Sequence, residues 1–250
     1  MTLRWFPSVL LIAAITHPAL AQKELTVIAP AGVRAAFEQL LPGFEQKGYR
    51  VNATYGSGPG TRQQIARGEP CDVAIVQQPY DDVLASGNVV VNTATPLARI
   101  GLGMAVREGA PKPSLGTAEA VKRTLLAAKS VVCADPKASA AGAACDEALQ
   151  KLGITAQLEP KLKRAPNGAG AMQMIANGEA ELGLNFVSEI TAPGIASAGF
   201  LPADVSAPLS LVGLVSSHAK DPAGAKSLLQ YLSSPEAENT YKAKGMMAGR

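Results

Sequence analysis

The chain has 250 residues, 47% of them hydrophobic, with 23 basic and 20 acidic side chains and a formal charge of +3. This size suits one large domain or two small lobes with good cores, and neither sign of charge gathers into a long run, which excludes nucleic acid as an expected partner. The only histidines are His17 and His218, too few for a Ser-His-Asp or Cys-His arrangement or a zinc-like cluster.

The chain opens with Arg4, an apolar run over 5–15 and Ala19-Leu20-Ala21, the pattern of a secretory leader over 1–21. The run is too short to anchor in a bilayer, so the mature protein is expected to begin at Gln22 in the periplasm, with 229 residues remaining. His17 leaves with the leader, and His218 sits in a polar turn. Cys71, Cys133 and Cys145 allow one bridge in an oxidising compartment. Cys133 ends a predicted strand and Cys145 lies in the helix after it, which makes them the better-placed pair; two separately buried thiols are the alternative.

A compact strand over 25–29 leads into a helix with Phe37, Leu40, Leu41 and Phe44 at helical spacing. A strand over 49–55 follows, and then Gly56-Ser57-Gly58-Pro59-Gly60-Thr61 opens a helix predicted over 62–66. Glycines let backbone amides approach a ligand, and a helix start offers unpaired N–H groups with partial positive charge, so this loop is a candidate anion site. It lacks the Gly-Lys-Ser/Thr ending of a nucleotide P-loop, and its plainer reading is a tight turn.

The phrase Ile65-Ala66-Arg67-Gly68-Glu69 returns 110 residues later as Ile175-Ala176-Asn177-Gly178-Glu179. Each copy joins a helical pattern to a short apolar strand, 73–76 and 182–186, which points to two similar α/β lobes. The glycines suit helix C-caps, and the strands end in amides, Gln77 and Gln78 in one and Asn185 in the other. In open α/β sheets the carboxyl ends of strands face the ligand crevice.

Between the copies, 97–106 reads as one long strand crossing between lobes, followed by a helix over 118–127 and a strand over 130–133. Two further small-residue loops, 135–142 and 163–170, precede helices predicted over 143–152 and 172–176. A strand over 208–216 and helices within 222–244 close the chain.

Residues 25–44, the Ser57 loop with Gln64-Ile65-Ala66-Arg67-Gly68, Ala134-Asp135-Pro136 with Gly142, Gly178-Glu179-Ala180-Glu181-Leu182-Gly183, and Asp221-Pro222 through Ser234-Pro235-Glu236 together resemble the periplasmic molybdate-binding proteins, type II solute receptors of ABC importers. The resemblance implies an α/β fold of two lobes, each a mixed sheet flanked by helices, joined by two crossover strands. Lobe 1 would take 22–98 with 206–250, and lobe 2 would take 99–205.

Carried over residue by residue, the resemblance places Ala31, Gly32, Ser57, Gly58, Ser139, Ala141, Asn185 and Phe186 around the ligand, and Thr61 and Arg62 belong to the same helix-opening loop. Gly32 and Gly58 stand where those receptors commonly have serines, which weakens a cage for a tetrahedral oxyanion. Arg34, Arg62 and Arg99 could supply bidentate carboxylate clamps instead, against the plainer reading of solvated surface charges.

The expected protein is therefore a non-enzymatic, monomeric periplasmic receptor. It would capture a small anion, an organic di- or tricarboxylate, for an inner-membrane ABC permease or sensor, without metal or cofactor. A molybdate or tungstate receptor is the alternative within binding. A secreted hydrolase is the alternative outside it, disfavoured by the missing histidine constellation.

Overall fold

The computed structural model describes residues 22–249, so the leader expected over 1–21 lies outside the described residues. β1 (Lys23–Pro30) passes through a 3-10 turn at Ala31–Val33 into α1 (Arg34–Glu45), which buries Phe37, Leu40, Leu41 and Phe44 as their spacing predicts. β2 (Tyr49–Gly56), α2 (Gly58–Ala66), β3 (Val73–Gln77), α3 (Asp81–Ala85) and β4 (Val89–Ile100) complete the first run. The second run is β5 (Leu102–Arg107), α4 (Ala118–Ala127), β6 (Val131–Ala134), α5 (Ala140–Lys151), α6 (Thr155–Leu158), β7 (Leu162–Ala165), α7 (Gly168–Ala176), β8 (Leu182–Phe186) and β9 (Ile195–Phe200). The chain then returns with β10 (Leu209–Ser216), α8 (Pro222–Leu232), α9 (Pro235–Ala243) and β11 (Met247–Ala248).

Two mixed sheets result, ordered β11-β4-β10-β3-β1-β2 and β7-β6-β8-β5-β9. In the first, β1 lies parallel to β2 and β3, while β10 runs antiparallel between β3 and β4. In the second, β6 is parallel to β7 and β8, and β5 is antiparallel to β8 and β9. Helices cover the sheets, which is why β3 and β8 are buried along their whole length and read as short continuous apolar runs. The fold is thus two α/β lobes, as expected.

The repeated phrase marks the same joint in each lobe. α2 and α7 end at glycines in the left-handed region, Gly68 with φ 79° and Gly178 with φ 77°, and lead into β3 and β8. Each helix is also capped alike at its start, by Ser57 and by Asn167.

Two local expectations change. The segment 97–106 is two strands in different sheets, β4 ending at Ile100 and β5 beginning at Leu102. A Cβ on Gly101 between them would lie 2.9 Å from the Phe200 ring, so the change of sheet needs a residue without a side chain. The three small-residue loops are shorter than expected because their last residues form first helical turns. Ser57, Ser139 and Asn167 accept from the amides of Gly60, Gly142 and Gly170 three residues on, fixing each helix start there.

Of the two readings of the cysteines, the bridge is the one found. Cys133 at the end of β6 is bonded to Cys145 in α5, with Cα atoms 6.4 Å apart, and Cys71 is a buried free thiol. A second tie lies in lobe 1, where the buried Asp72 accepts from Thr26 N and Oγ1, each at 2.8 Å, and from the backbone amides of Lys220 at 2.7 Å and Asp221 at 3.4 Å.

Candidate ligand-binding site

A cavity of about 310 Å³ lies between the lobes, at the small end of the roughly 300–1,000 Å³ typical of small-molecule sites. Its walls are helix beginnings: Pro30 and Ala31 ahead of α1, Ser57 and Gly58 opening α2, Ser139 to Ala141 opening α5, and Asn167 to Ala169 opening α7. Each brings unpaired N–H groups and the positive end of a helix dipole, so the field of the cavity favours negative charge.

The caps sharpen that preference. The hydroxyls of Ser57 and Ser139 and the amide oxygen of Asn167 accept from their own helices, at 3.1, 3.4 and 2.9 Å. With the acceptor oxygen committed, each hydroxyl proton and the Asn167 NH₂ group can be donated into the cavity. Pro59, the second residue of α2, has no N–H to give, and beside it stands the buried amide of Gln77 at the end of β3. A Cβ on Gly58 would lie 2.3 Å from Gln77 Nε2. Glycine at 58 therefore makes room for an amide donor from the neighbouring strand.

Among the described residues, Glu189 is the one charged residue of the cavity wall. It follows β8 in the 3-10 turn Val187–Glu189 and sits where a Cβ on Gly168 would be 2.8 Å from Oε2 and a Cβ on Gly32 would be 3.5 Å from Oε1. A side chain at 168 would crowd the carboxyl, whereas one at 32 would meet it only in ordinary van der Waals contact. Burial raises its carboxyl pKa to about 7, with a hydrogen bond from Asn185 pulling the other way. Beneath it, Ser188 buries a hydroxyl with no hydrogen-bond partner among the described residues. Tyr55 also lines the cavity; its phenol is pushed up to about 12 by burial, with Glu38 adding and Arg34 opposing.

Of the residues expected at the ligand, Ala31, Ser57, Gly58, Ser139, Ala141 and Phe186 line the cavity together. Gly32 lies just behind, packed toward Glu189 and Ser188. Thr61 turns its hydroxyl back to the Ala29 carbonyl, at 3.3 Å. Asn185 is fully buried under the wall, accepting from Phe186 N at 2.9 Å and donating to the Gly168 carbonyl at 3.4 Å, so it positions Glu189 and the start of α7 rather than touching the cavity.

The arginines are not the clamps expected of them. Arg62 donates to the Pro79 carbonyl and pairs with Asp82 at 3.3 Å. Arg99 donates to the Ala248 carbonyl at 2.9 Å and so ties β4 to the C-terminal strand β11. Arg34 is exposed and stacks on the outer face of Tyr55, 4.9 Å from the ring centroid, at the rim. The positive character of the site comes from backbone and amide donors.

A donor-lined cavity between two α/β lobes, formed by helix starts from both, defines a solute-binding protein. A family model for bacterial extracellular solute-binding proteins matches residues 25–247, and the chain belongs to that family. Among its relatives, an aconitate isomerase of a Pseudomonas species is 32% identical over 89% of this chain and 87% of the relative. The molybdate-binding protein ModA of Escherichia coli is 29% identical over 98% of both. The solved periplasmic molybdate-binding protein of Azotobacter vinelandii shares the fold with a TM-score of 0.73, at 22% identity over 89% of this chain and 98% of that one.

Proposed function

We propose that this protein is a periplasmic receptor for a small organic polycarboxylate, closing on it between the lobes and delivering it to an inner-membrane ABC permease. The observation that carries this reading is a wall of neutral donors interrupted by a single carboxyl, Glu189. A molybdate-type oxyanion is fully charged and needs a donor at every buried oxygen. Glu189 offers it one proton at most, and repulsion once ionised. A polycarboxylate can place its ionised ends on separate helix starts and its protonated or hydroxyl-bearing part at Glu189. The kinship with a protein named for aconitate, a tricarboxylate, supports the same class. The molybdate reading keeps the support of the ModA relatives.

Calorimetric titration of the protein lacking residues 1–21 decides between them. A tricarboxylate such as aconitate or citrate is expected to bind at least about tenfold more tightly than molybdate, a difference of ~1.4 kcal/mol. The reverse order would overturn the carboxylate reading.

Gly58→Ser tests how the site is built. It restores a family-like hydroxyl but drives Gln77 from its place, so tricarboxylate affinity should fall by about 1 to 2 kcal/mol, within the usual cost of overpacking. Unchanged affinity in the same titration would show that the Gln77 amide is not a ligand contact.

A further inference from the structure

We propose that Glu189 holds the ligand through a shared proton: its carboxyl and one carboxylate of the bound polycarboxylate keep a single hydrogen between them, so that above neutral pH each ligand bound brings a proton in from solvent. The proposal rests on the reading that the cleft takes an organic polycarboxylate, and it states the protonation state in which that ligand is held.

The carboxyl lies over a helix start. A Cβ on Gly168, the first residue of α7, would be 2.8 Å from Glu189 Oε2 and 2.9 Å from Asn185 Nδ2. That start is one of those lining the cavity, and its free amides, at the positive end of the helix dipole, are a natural seat for a ligand carboxylate. A carboxylate seated there meets Glu189. Two carboxylates in contact do not both stay ionised, and one proton between them turns repulsion into a short charge-assisted hydrogen bond.

Among the described residues no cation is placed to do the proton's work. α7, β8 and β9 carry no charged side chain. β5 carries only Arg107, at the end away from the turn of Glu189 and packed on Gly178. On the side of lobe 1, Arg34 is stacked on Tyr55, beyond which lies Glu38, and Tyr55 itself stays protonated at neutral pH. Lys244 precedes Gly245, which packs on Val187. None of these charges forms an ion pair with Glu189.

The group is set to titrate on binding. Glu189 keeps partial exposure and lines the cavity, and burial already raises its carboxyl to about 7 against the pull of the Asn185 hydrogen bond. A ligand that covers the rest of it and adds a negative charge raises it further. Above about pH 7 the free protein has therefore lost the proton that the complex holds, and binding draws one in. Below that pH both hold it and the uptake disappears.

The test is calorimetric titration of the protein lacking residues 1–21 with propane-1,2,3-tricarboxylate at pH 8, in phosphate and in Tris, two buffers that differ in the heat of giving up a proton. The probe has no hydroxyl and no double bond, so only a shared proton can join it to Glu189. Wild type is expected to take up about one proton per ligand and to lose affinity by about tenfold per pH unit between pH 8 and 9. Glu189→Gln, whose amide donates without titrating, should take up none, with affinity constant to within about threefold from pH 7 to 9. Wild-type binding with the same heat in both buffers would overturn the shared proton and leave the receptor reading standing. No binding of the probe or of citrate at pH 6 or pH 8 would overturn both. Uptake that persists in a folded Glu189→Gln protein would overturn the assignment to Glu189. The wild-type comparison of buffers stands by itself if the variant does not fold.

Discussion

Replacing Glu189 by glutamine should make the ligand-free protein more stable than wild type at pH 8. The carboxyl pKa is raised from the ordinary 4.5 to about 7, which corresponds to about 3 kcal/mol between its protonation states. Glu189 keeps partial solvent exposure, which lowers this to an expected gain of about 2 kcal/mol. The sign follows from proton uptake. Below pH 4.5 folded and unfolded chains both hold the proton and the group adds no pH dependence. Between 4.5 and about 7 the unfolded chain releases its proton while the folded one keeps it, so wild-type stability declines. Above about 7 both are ionised and the full penalty of a desolvated carboxylate remains. Glutamine never ionises and preserves the shape and the hydrogen bond to Asn185. Urea unfolding of the two proteins should coincide near pH 4, diverge from pH 5 to 7 and run parallel above. A constant offset at every pH would mean that Glu189 is not the buried acid inferred.

Asp72→Ala should have the opposite and larger effect. One carboxylate joins Thr26 of β1 to the turn between β10 and α8 by four accepted hydrogen bonds, in a position only 2% exposed. Alanine leaves backbone amides at 26 and 220 without partners and cannot move to cover them. At about 1 to 3 kcal/mol for each buried donor left unpaired, the expected loss is about 3 to 5 kcal/mol. Asp72→Asn keeps one acceptor oxygen and should lose roughly half as much. Chemical denaturation monitored by circular dichroism would show this as a lower midpoint with an unchanged slope. A loss under about 1 kcal/mol would mean that water takes over the carboxylate's role.

Periodicity and caps made the lobes legible in the sequence. Gly68 and Gly178 could be read as C-caps because the positive φ that they adopt is a local demand of a helix end, and the strands after them are short apolar runs of the kind that only a sheet covered on both faces produces. The break at Gly101 left no such trace. β4 and β5 are both apolar and extended, and what separates them is the crowding of Phe200 and Met247, distant in sequence. The helix starts were placed too late because glycine and proline suggest loops, whereas Ser57, Ser139 and Asn167 with glycine three residues on form an N-cap pattern that could have been recognised.

The chemistry of the site was the least legible part. Its arginines were expected in the cleft because their charge suits a carboxylate, but the direction of a long side chain is set by partners such as Asp82 and the Ala248 carbonyl. Glu189 went unmarked because its surroundings come from residues 32, 168 and 185, and only the folded chain assembles them around one carboxyl.

The strand order of the first sheet has a consequence for biogenesis. β10, starting at Leu209, fills the gap between β3 and β4, so a chain emerging from its N-terminus presents two unpaired edges until its final fifth arrives. The strands of the second sheet all come from the uninterrupted stretch between Leu102 and Phe200, which also contains both cysteines of the Cys133–Cys145 bridge. That lobe can mature and become oxidised while the other still waits for its middle strand, so the late-completing lobe keeps its apolar strand edges open for longer.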